Sequence, residues 1–348
     1  MYPYGASARP IMAASFLAVS PSVSYLNENK DFLQQAPRDL DKFISNNLQP
    51  TTEVNYMARD KVKRLVNFHQ HNFGYSVKEV VVSGSFGKGT QVKGFADLDC
   101  VLILNDIKDH KELKAAGKDM FKNLEEVLRK STFATITDMK KTRFALQFDL
   151  EVNGEKMGVD LLPTFDTSSR DARKRRSLYQ EILQCTRADR QFYSAALCHL
   201  QIEFIKKQPT KLKNLIRLVK YWNKTVVKPQ AKTTPALRYP SSYPLELISI
   251  YVCEKIGDKE SFDMAAAFKA VMQQVVDYKK IIAVWHDNYD EQMADKGMRE
   301  MERPILLDPA NPTNNVLSAS DEKALEHVAQ IAKETLMKPL LLSVSLPF

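Results

Sequence analysis

The chain has 348 residues, enough for about two domains, and its 44% hydrophobic and 26% charged residues are typical of a folded globular protein. The formal net charge of +8 favours an anionic partner such as nucleic acid or a polyphosphate. The sequence contains no run of eighteen apolar residues, so it predicts no membrane-spanning helix. The four scattered cysteines favour a reducing compartment, so we expect a cytoplasmic protein, with a nuclear fraction as the alternative.

The first half of the chain has the pattern of a mixed sheet flanked by helices. Residues 1–36 are rich in Ala, Ser, Pro and Tyr, so we expect a flexible extension, with a cleaved targeting segment around 11–19 as the alternative. Helical periodicity begins at Leu40 and continues in a long segment over 51–74. Apolar and alternating patterns then predict strands at 80–82, 97–104, 144–152 and 157–165, a helix at 109–130 and a hairpin turn at Asn153-Gly154.

The second half is predicted to be a helical lobe, because strand signals nearly vanish after Pro163. Apolar residues recur at three- and four-residue spacing in five segments, namely 189–206, 211–227, 244–256, 260–278 and 320–337. The expected organisation is an α+β chain with an extension at 1–36, a sheet-containing lobe at 37–165 and a helical lobe at 166–348.

Three aspartates fall on predicted neighbouring strands. Asp97 and Asp99 are two residues apart, and since alternate side chains of a strand share a face, both carboxylates point the same way. Asp160 lies in an otherwise apolar strand, where a charge is costly unless it is paired or metal-bound. Three such carboxylates can hold two Mg²⁺ ions for phosphoryl-type transfer. Ordinary strand-end aspartates are the alternative.

A glycine-rich segment lies one strand before the aspartate pair. Gly84, Gly87 and Gly89 would let the backbone approach a phosphate, and Ser85 and Lys88 add a hydroxyl and a positive charge. The spacing is not that of a Walker A loop, which requires G-x-x-x-x-G-K-[ST]. The position of the segment predicts a triphosphate-binding loop, with a simple turn as the alternative.

These residues, G-S-F-G-K-G-T-Q-V-K-G-F-A-D-L-D-C, resemble the nucleotidyltransferase signature of the 2'-5'-oligoadenylate synthetase family. Five further blocks match in order: L-D-K-F-I at 40–44, V-D-L-L-P-T-F-D at 159–166, P-T-K-L-K-N-L-I-R-L-V-K-Y-W at 209–222, Y-P-L-E-L-I-S-I-Y-V-C-E at 243–254 and R-P-I-L-L-D-P-A-N-P-T at 303–313. The resemblance implies a polymerase-β-like nucleotidyltransferase lobe joined to a helical lobe, with the active site in the cleft between them.

The resemblance also implies roles for individual residues. It makes Asp97, Asp99 and Asp160 the ligands of two Mg²⁺ ions, with Mn²⁺ as an alternative ion, and it makes Ser85 a contact to the donor triphosphate. Gly84 and Lys88 belong to the same nucleotide-binding segment.

Two further nucleotide contacts are implied in the helical lobe. Lys220 should reach the donor triphosphate, although the charges at Lys211, Lys213 and Arg217 on the same helix also fit a solvated face. Tyr243 matches the tyrosine that stacks on the donor base, but Ser242 replaces the glutamine of the vertebrate enzymes, so the base preference stays open.

The family's activator is double-stranded RNA, bound on the face opposite the cleft. Thr210 and Lys211 match RNA-contacting positions, whereas Val82 and Ile202 replace basic ones. A basic run after Asp166 could supply the missing phosphate contacts; its candidate residues are Arg173, Lys174, Arg175 and Arg176. The alternatives are a solvated or localisation segment, or a run that faces the cleft.

The implied activity is a template-independent nucleotidyltransferase of antiviral innate immunity. It would use ATP, among other nucleoside triphosphates, and join adenylates through 2'-5' bonds with release of pyrophosphate when double-stranded RNA is present. A cyclic-dinucleotide synthase of the cyclic GMP-AMP synthase-like type and a catalytically silent RNA-binding protein are the alternatives. Because the Cys-Phe-Lys stretch that tetramerises vertebrate members is not seen at 338–348, we expect a monomer.

Overall fold

A computed structural model describes residues 31–51, 60, 64, 73–95, 97–132, 134–152, 155–289, 291–299 and 301–348. Most of the helix expected over 51–74, the Asn153-Gly154 turn and residues 1–30 lie outside these ranges. Within them, no helix is both long enough and apolar enough to cross a membrane.

A five-stranded mixed sheet forms the first half, with its strands in the order β1-β2-β5-β4-β3. β2 and β5 run parallel at its centre, and the other neighbours are antiparallel. The strands are β1 Val77–Val82, β2 Leu98–Leu104, β3 Thr135–Lys141, β4 Leu146–Val152 and β5 Glu155–Phe165. β3 was not predicted from the sequence, because it is an edge strand whose side chains are mostly exposed and whose apolar residues are few.

Fourteen helices are described, and most of them lie in the second half. They are α1 Leu40–Phe43, α2 Gly84–Lys88, α3 His110–Arg129, α4 Ala172–Gln184, α5 Arg187–Arg190, α6 Tyr193–Ala196, α7 Cys198–Lys206, α8 Thr210–Trp222, α9 Lys228–Ala231, α10 Ser242–Ile256, α11 Met264–Val276, α12 Glu291–Met298, α13 Glu322–Leu336 and α14 Pro339–Leu342. The helix expected over 189–206 is broken into α5, α6 and α7, and α4 and α12 were not predicted.

The two faces of the sheet are covered by different helices. On one face the strand residues Leu98, Cys100 and Leu102 are fully buried against the apolar stripe of α3. α3 begins at a good capping residue, since the Asp109 carboxylate accepts hydrogen bonds from the backbone N–H groups of residues 111 and 112 at 2.8 and 2.9 Å. On the other face Val101 packs with Cys198 of α7, and this face opens into the cleft.

The helical half also contains strands, in contrast to the expectation of a purely helical lobe. β6 Ile282–Ala283, β7 Ile305–Asp308 and β8 Asn311–Asn315 form a small three-stranded sheet. These strands are too short, and β8 too polar in sequence, to give a strand pattern. The core of this half is centred on α8, where Trp222 is fully buried and its indole N–H donates to Thr335 Oγ1 at 2.9 Å.

Residues 31–36 do not form part of a loose extension. Phe32 is 3% exposed and lies in the core of the helical half, with its ring centroid 5.3 Å from Tyr221 and 6.2 Å from Phe268. Leu40 and Ile44 are fully buried in the same core. The first described segment therefore packs on the helical half, although it precedes the sheet in the chain.

Candidate active site

Three carboxylates meet where β2 and β5 lie side by side. Asp99 and Asp160 are register partners on these parallel strands, so their Cα atoms are roughly 4.8 Å apart. Asp97 immediately precedes β2, and its Oδ1 lies 2.9 Å from where a Cβ atom on Gly158 of β5 would be. The structure thus brings the three residues together, with Asp99 and Asp160 on adjacent strands and Asp97 just before β2.

The environment of these carboxylates disfavours their charged forms. Burial raises the pKa of Asp99 to about 6, and the neighbouring charge of Asp97 adds to this. Burial and the charge of Asp99 raise the pKa of Asp160 to about 7. Burial also raises the pKa of Asp97, although the nearby ammonium groups of Lys224 and Lys228 oppose the change. The negative charge gathered here lacks full compensation from the protein.

A divalent cation would supply that compensation. Carboxylate oxygens are the ligands that Mg²⁺ prefers, and the Asp160 carboxylate is already oriented by a hydrogen bond from Gln147 Nε2 at 3.1 Å. As they stand, however, no three His, Cys, Asp or Glu side chains in the described part of the chain are arranged to hold a metal ion. The donor chemistry therefore fits Mg²⁺, and the assignment of Asp97, Asp99 and Asp160 as ligands stays a prediction.

The expected phosphate loop is instead a short helix, α2. Gly84 has a φ of +54°, and a Cβ atom there would lie 1.7 Å from Asp99 Oδ2. A Cβ atom on Gly87 would lie 2.2 Å from the backbone oxygen of Val82. Both glycines are required because protein atoms approach them closely, a reason that sequence spacing alone does not reveal. Gly84 and Ser83 line the cleft, whereas Ser85 does not.

A buried ionic cluster joins the two halves beside α2. Glu246 of α10 is 2% exposed, and its carboxylate lies 3.0 Å from Lys88 Nζ and 3.0 Å from Lys220 Nζ. Thr90 Oγ1 donates to the same carboxylate at 2.9 Å. Burial alone would raise the pKa of Glu246, but the two ammonium groups outweigh it and hold the pKa at about 2.

The cluster changes the expectation for Lys220. Its side chain is not part of a solvated face, since the residue is 4% exposed and its ammonium also donates to the backbone oxygen of Thr90 at 3.1 Å. Arg217, on the same helix, is likewise buried and donates to the backbone oxygen of Gly89 at 2.7 Å. The contact of Lys220 with a triphosphate stays a prediction, and it would require one of these bonds to be exchanged.

Tyr243 lines the cleft at the start of α10. The Lys88 ammonium lies 4.0 Å from the centre of its ring, and its hydroxyl donates to Asp308 Oδ1 at 2.8 Å. Asp308 is 1% exposed and also accepts a bond from Gln201 Nε2 at 2.9 Å. The bond to Asp308 fixes the hydroxyl end of the ring, and the Lys88 ammonium covers one of its faces, so only the opposite face could stack on a base. Ser242 does not line the cleft, but its neighbour Ser241 does.

Several site residues were missed from the sequence. Glu246 and Asp308 each stand in an otherwise apolar element, the same signal that identified Asp160. Lys224 and Lys228 follow α8 and act electrostatically on Asp97, and burial lowers the pKa of Lys224 to about 8. Nothing in the sequence marks these two lysines, because their proximity to Asp97 arises only from the packing of the two halves.

Asp99, Asp160 and Tyr243 line one cleft of about 570 Å³ between the sheet and the helical half, whereas Asp97 is not part of its lining. This volume is within the range of about 300–1,000 Å³ that small-molecule sites have. The predicted nucleotide residues Gly84, Lys88 and Tyr243 line it together with Asp99 and Asp160. The expected position of a site between the two halves is therefore matched by the geometry.

The predicted RNA-contacting residues lie outside this cleft. Thr210 is the first residue of α8, and the Lys211 ammonium lies 3.7 Å from Asp41 Oδ2 and is partly exposed. Val82 ends β1, and Ile202 lies on α7.

The basic run after Asp166 forms the start of α4, and none of its residues lines the cleft. Arg170, just before the helix, pairs with Glu79 at 2.6 Å, and Arg173 pairs with Asp171 at 3.1 Å. Arg175 Nε donates to the backbone oxygen of Ser169 at 2.7 Å, and Arg176 donates to Gln292 at 3.3 Å. The alternative of a cleft-facing run is therefore not supported, and much of the charge of the run is engaged with the protein itself.

Comparison with protein families matches both halves. The model of 2'-5'-oligoadenylate synthetase 1, domain 2, C-terminus, matches residues 172–345, and the nucleotidyltransferase domain model matches residues 62–156. The chain is thus of the nucleotidyltransferase class, with a second domain that is characteristic of one family.

Individual relatives agree with this class. The chain is 32% identical over 316 residues to 2'-5'-oligoadenylate synthase 1A of Rattus norvegicus, which covers 81% of this chain and 85% of that protein. It is 29% identical over 323 residues to 2'-5'-oligoadenylate synthase 2 of Mus musculus, of which it spans only 43%, and it spans 26% of synthase 3 of the same species. The chain belongs to the 2'-5'-oligoadenylate synthetase family.

Solved structures of distant proteins share the fold. CdnC of E. coli MS115-1, solved with ATP, superposes with a TM-score of 0.56 at 17% identity and covers 88% of this chain and 98% of CdnC. The Cid1 poly(U) polymerase, solved with magnesium and 3'-dATP, gives a TM-score of 0.55 at 13% identity over 88% of this chain and 94% of Cid1. At these identities the likeness shows the fold alone, and it confirms the expected α+β nucleotidyltransferase fold.

Proposed function

We propose that the chain is a template-independent nucleotidyltransferase that is activated by double-stranded RNA. It joins ATP units through 2'-5' phosphodiester bonds and releases pyrophosphate, and it acts as a monomer in the cytoplasm. The observation that carries the proposal is the pairing of Asp99 with Asp160 on adjacent parallel strands, inside a cleft that Tyr243 also lines. Family membership adds the chemical class of the product.

The carboxylates of Asp97, Asp99 and Asp160 are the groups that would hold two Mg²⁺ ions. When bound there, these ions supply charge neutralisation at the reacting phosphates and acidity at the acceptor hydroxyl. Tyr243 offers to the donor base the ring face opposite Lys88, because the bond to Asp308 already fixes the orientation of the ring. Lys224 and Lys228 place positive charge beside Asp97, where a triphosphate would need it.

Product analysis tests this function directly. The full chain is incubated with Mg²⁺ and all four nucleoside triphosphates, with and without double-stranded RNA, and the products are identified by mass spectrometry and by digestion with linkage-specific nucleases. We expect linear 2'-5' oligoadenylates that depend on the RNA. Cyclic dinucleotides would replace the proposal with its enzymatic alternative, and RNA binding without any product would point to a silent RNA-binding protein.

Lys211 and the start of α4 define two candidate contacts with the RNA. Lys211→Glu reverses the charge of a partly exposed cation, whereas the combined change of Arg173, Lys174, Arg175 and Arg176 to Gln removes the charge of the α4 run. Each lost phosphate contact should reduce the salt dependence of duplex binding by about 0.9 in logarithmic slope.

Binding is measured with a fluorescent RNA duplex over a range of salt concentrations. Lys122→Gln provides a matched control, since Lys122 is an exposed lysine of α3 that is paired with Glu126. We expect Lys211→Glu to weaken duplex binding and RNA-stimulated activity together. If the α4 variant binds the duplex as the wild type does, the α4 run is not an RNA contact and its partners within the protein account for its charges.

A further inference from the structure

The cleft extends beyond the carboxylates into an arm that the proposed function does not use. Its floor follows β5 from Asp160 to Pro163, which is about 10 Å at 3.3 Å per residue. The walls of this arm come from the first half of α3, the turn between β3 and β4 at 141–145, and the residues between α5 and α6. We call this region the distal arm.

The distal arm is lined by cations. The lining includes Lys114, Lys118, Lys141 and Arg143, and among the described residues Asp160, at the inner end of the arm, is the only Asp or Glu that lines it. Lys114 is paired with Asp189 at 3.0 Å. Lys118 and Lys141 are exposed, and neither has an ion-pair partner among the described residues. A concave surface with one sign of charge attracts an anion.

Aromatic rings hold one of these cations in place. The Arg143 guanidinium lies 4.9 Å from the ring centre of Phe144 and 5.2 Å from that of Phe192, and Arg143 Nη1 donates to Gln191 Oε1 at 3.2 Å. Lys141 lies 5.2 Å from the ring of Phe121. Cations interleaved with aromatic rings are the combination that binds single-stranded nucleic acid, through phosphates and through stacked bases.

Gly117 leaves open space inside the arm, beside these cations. It lies in the middle of α3, where glycine is less favourable than alanine, yet a Cβ atom there would meet nothing within 4 Å. The packing of the protein therefore does not require a glycine at this position. Gly117 lines the distal arm between the turns that carry Lys114 and Lys118, so its missing side chain leaves room directly beside the cations.

We propose that the distal arm binds the phosphodiester backbone of the oligonucleotide already made, so that it holds an acceptor chain of more than one nucleotide. This inference rests on the proposed function, because it supplies the site at which a growing product would remain bound. Lys118, Lys141 and Arg143 contact successive phosphates, and the Arg143 plane offers a surface for a base. The arm thereby sets how long the product becomes before it dissociates.

The test is the double variant Lys118→Ser/Lys141→Ser in the full chain. Its matched control is Lys122→Ser/Lys140→Ser, which removes the same charge from the neighbouring turn of α3 and the neighbouring residue of β3. Both control lysines are exposed and lie outside the cleft lining. Binding is measured by fluorescence anisotropy without divalent ions, using a labelled 2'-5'-linked adenylate tetramer, and ATP competition provides the comparison. Product lengths are measured by anion-exchange chromatography.

We expect the Lys118/Lys141 variant to bind the tetramer about tenfold more weakly, and its salt dependence to fall by about 1.4 in logarithmic slope, since two single-strand phosphate contacts are lost. The ratio of trimers and longer products to dimers should fall, whereas the control should match the wild type. Equal tetramer affinity and equal product lengths in both variants would overturn the inference. If the wild type makes no product, the proposed function fails. The binding comparison still decides whether the distal arm binds the oligonucleotide.

Discussion

At the carboxylate end of the cleft the charged groups are buried and engaged with one another, whereas the cations of the distal arm are exposed and mostly independent. Glu246 is 2% exposed and contacts two ammonium groups, but Lys118 and Lys141 lie at the surface. Buried charges are strongly coupled because little solvent screens them, and exposed charges act nearly additively. A single substitution at the carboxylate end should therefore cause a large loss of activity or stability. Substitutions in the distal arm should instead each weaken ligand binding by a similar, smaller amount.

The largest effect should come from Asp160→Asn. The change removes one of two facing carboxylates, and catalysis by positioned charges should fall by at least about 100-fold. The folded state should not lose stability without divalent ions, because burial and Asp99 already disfavour the charge at Asp160. Nucleotide transfer and thermal melting measure the two effects. Asp166→Asn, an exposed residue immediately after the same strand and outside the cleft lining, serves as the control. A rate of nucleotide transfer within tenfold of the wild-type rate would show that Asp160 is not a catalytic residue.

Glu246→Gln should have the next largest effect, this time on stability. Breaking a buried ion pair leaves Lys88 and Lys220 uncompensated, which costs about 3–5 kcal/mol of unfolding free energy. The matched change Glu254→Gln, about two turns later in α10 and in a partly exposed pair with Lys259, should cost less than about 1 kcal/mol. Urea unfolding measures both values. Similar losses in the two variants would show that the buried cluster is no more coupled than a surface pair.

Gly117→Ala should have the smallest effect, and it should raise the stability of the protein instead of lowering it. The new Cβ atom meets nothing within 4 Å, so the helix should gain about 0.5–1 kcal/mol in stability. Urea unfolding checks this value, and tetramer affinity measured in parallel should not improve with it. A loss of stability at this position would mean that the protein itself requires the glycine, and Gly117 would then not mark open space for a ligand in the distal arm.

The sequence predicted the carboxylate end better than the distal arm for a physical reason. A charge in an apolar strand is costly, so Asp160 is conspicuous, and the same rule applied to Glu246 and Asp308 would have identified them as well. Exposed lysines on α3 carry no comparable signal, since the sequence pattern of a ligand-binding helix face is the same as that of a solvated face. Only the tertiary structure, which places residues 141–145 opposite α3, brings these lysines together in the proposed binding region.

Parts of the fold were also beyond sequence patterns. β3 is an exposed edge strand with little apolar periodicity, and the polar β8 forms because its neighbour β7 is buried. The glycine-rich segment forms a helix in which Asp99 and Val82 closely approach Gly84 and Gly87. These are tertiary contacts, which local propensity does not contain.

The burial of Phe32 among Tyr221 and Phe268 affects the order in which the chain can fold. During synthesis the residues near position 32 emerge first, but their partners emerge on the order of ten seconds later at about 5–20 residues per second. The sheet between them can form in the meantime. The N-terminal segment therefore cannot pack until α8 and α11 have been synthesised, and shortening the chain at that end should leave the sheet intact while it exposes the apolar surface of α8 and α11.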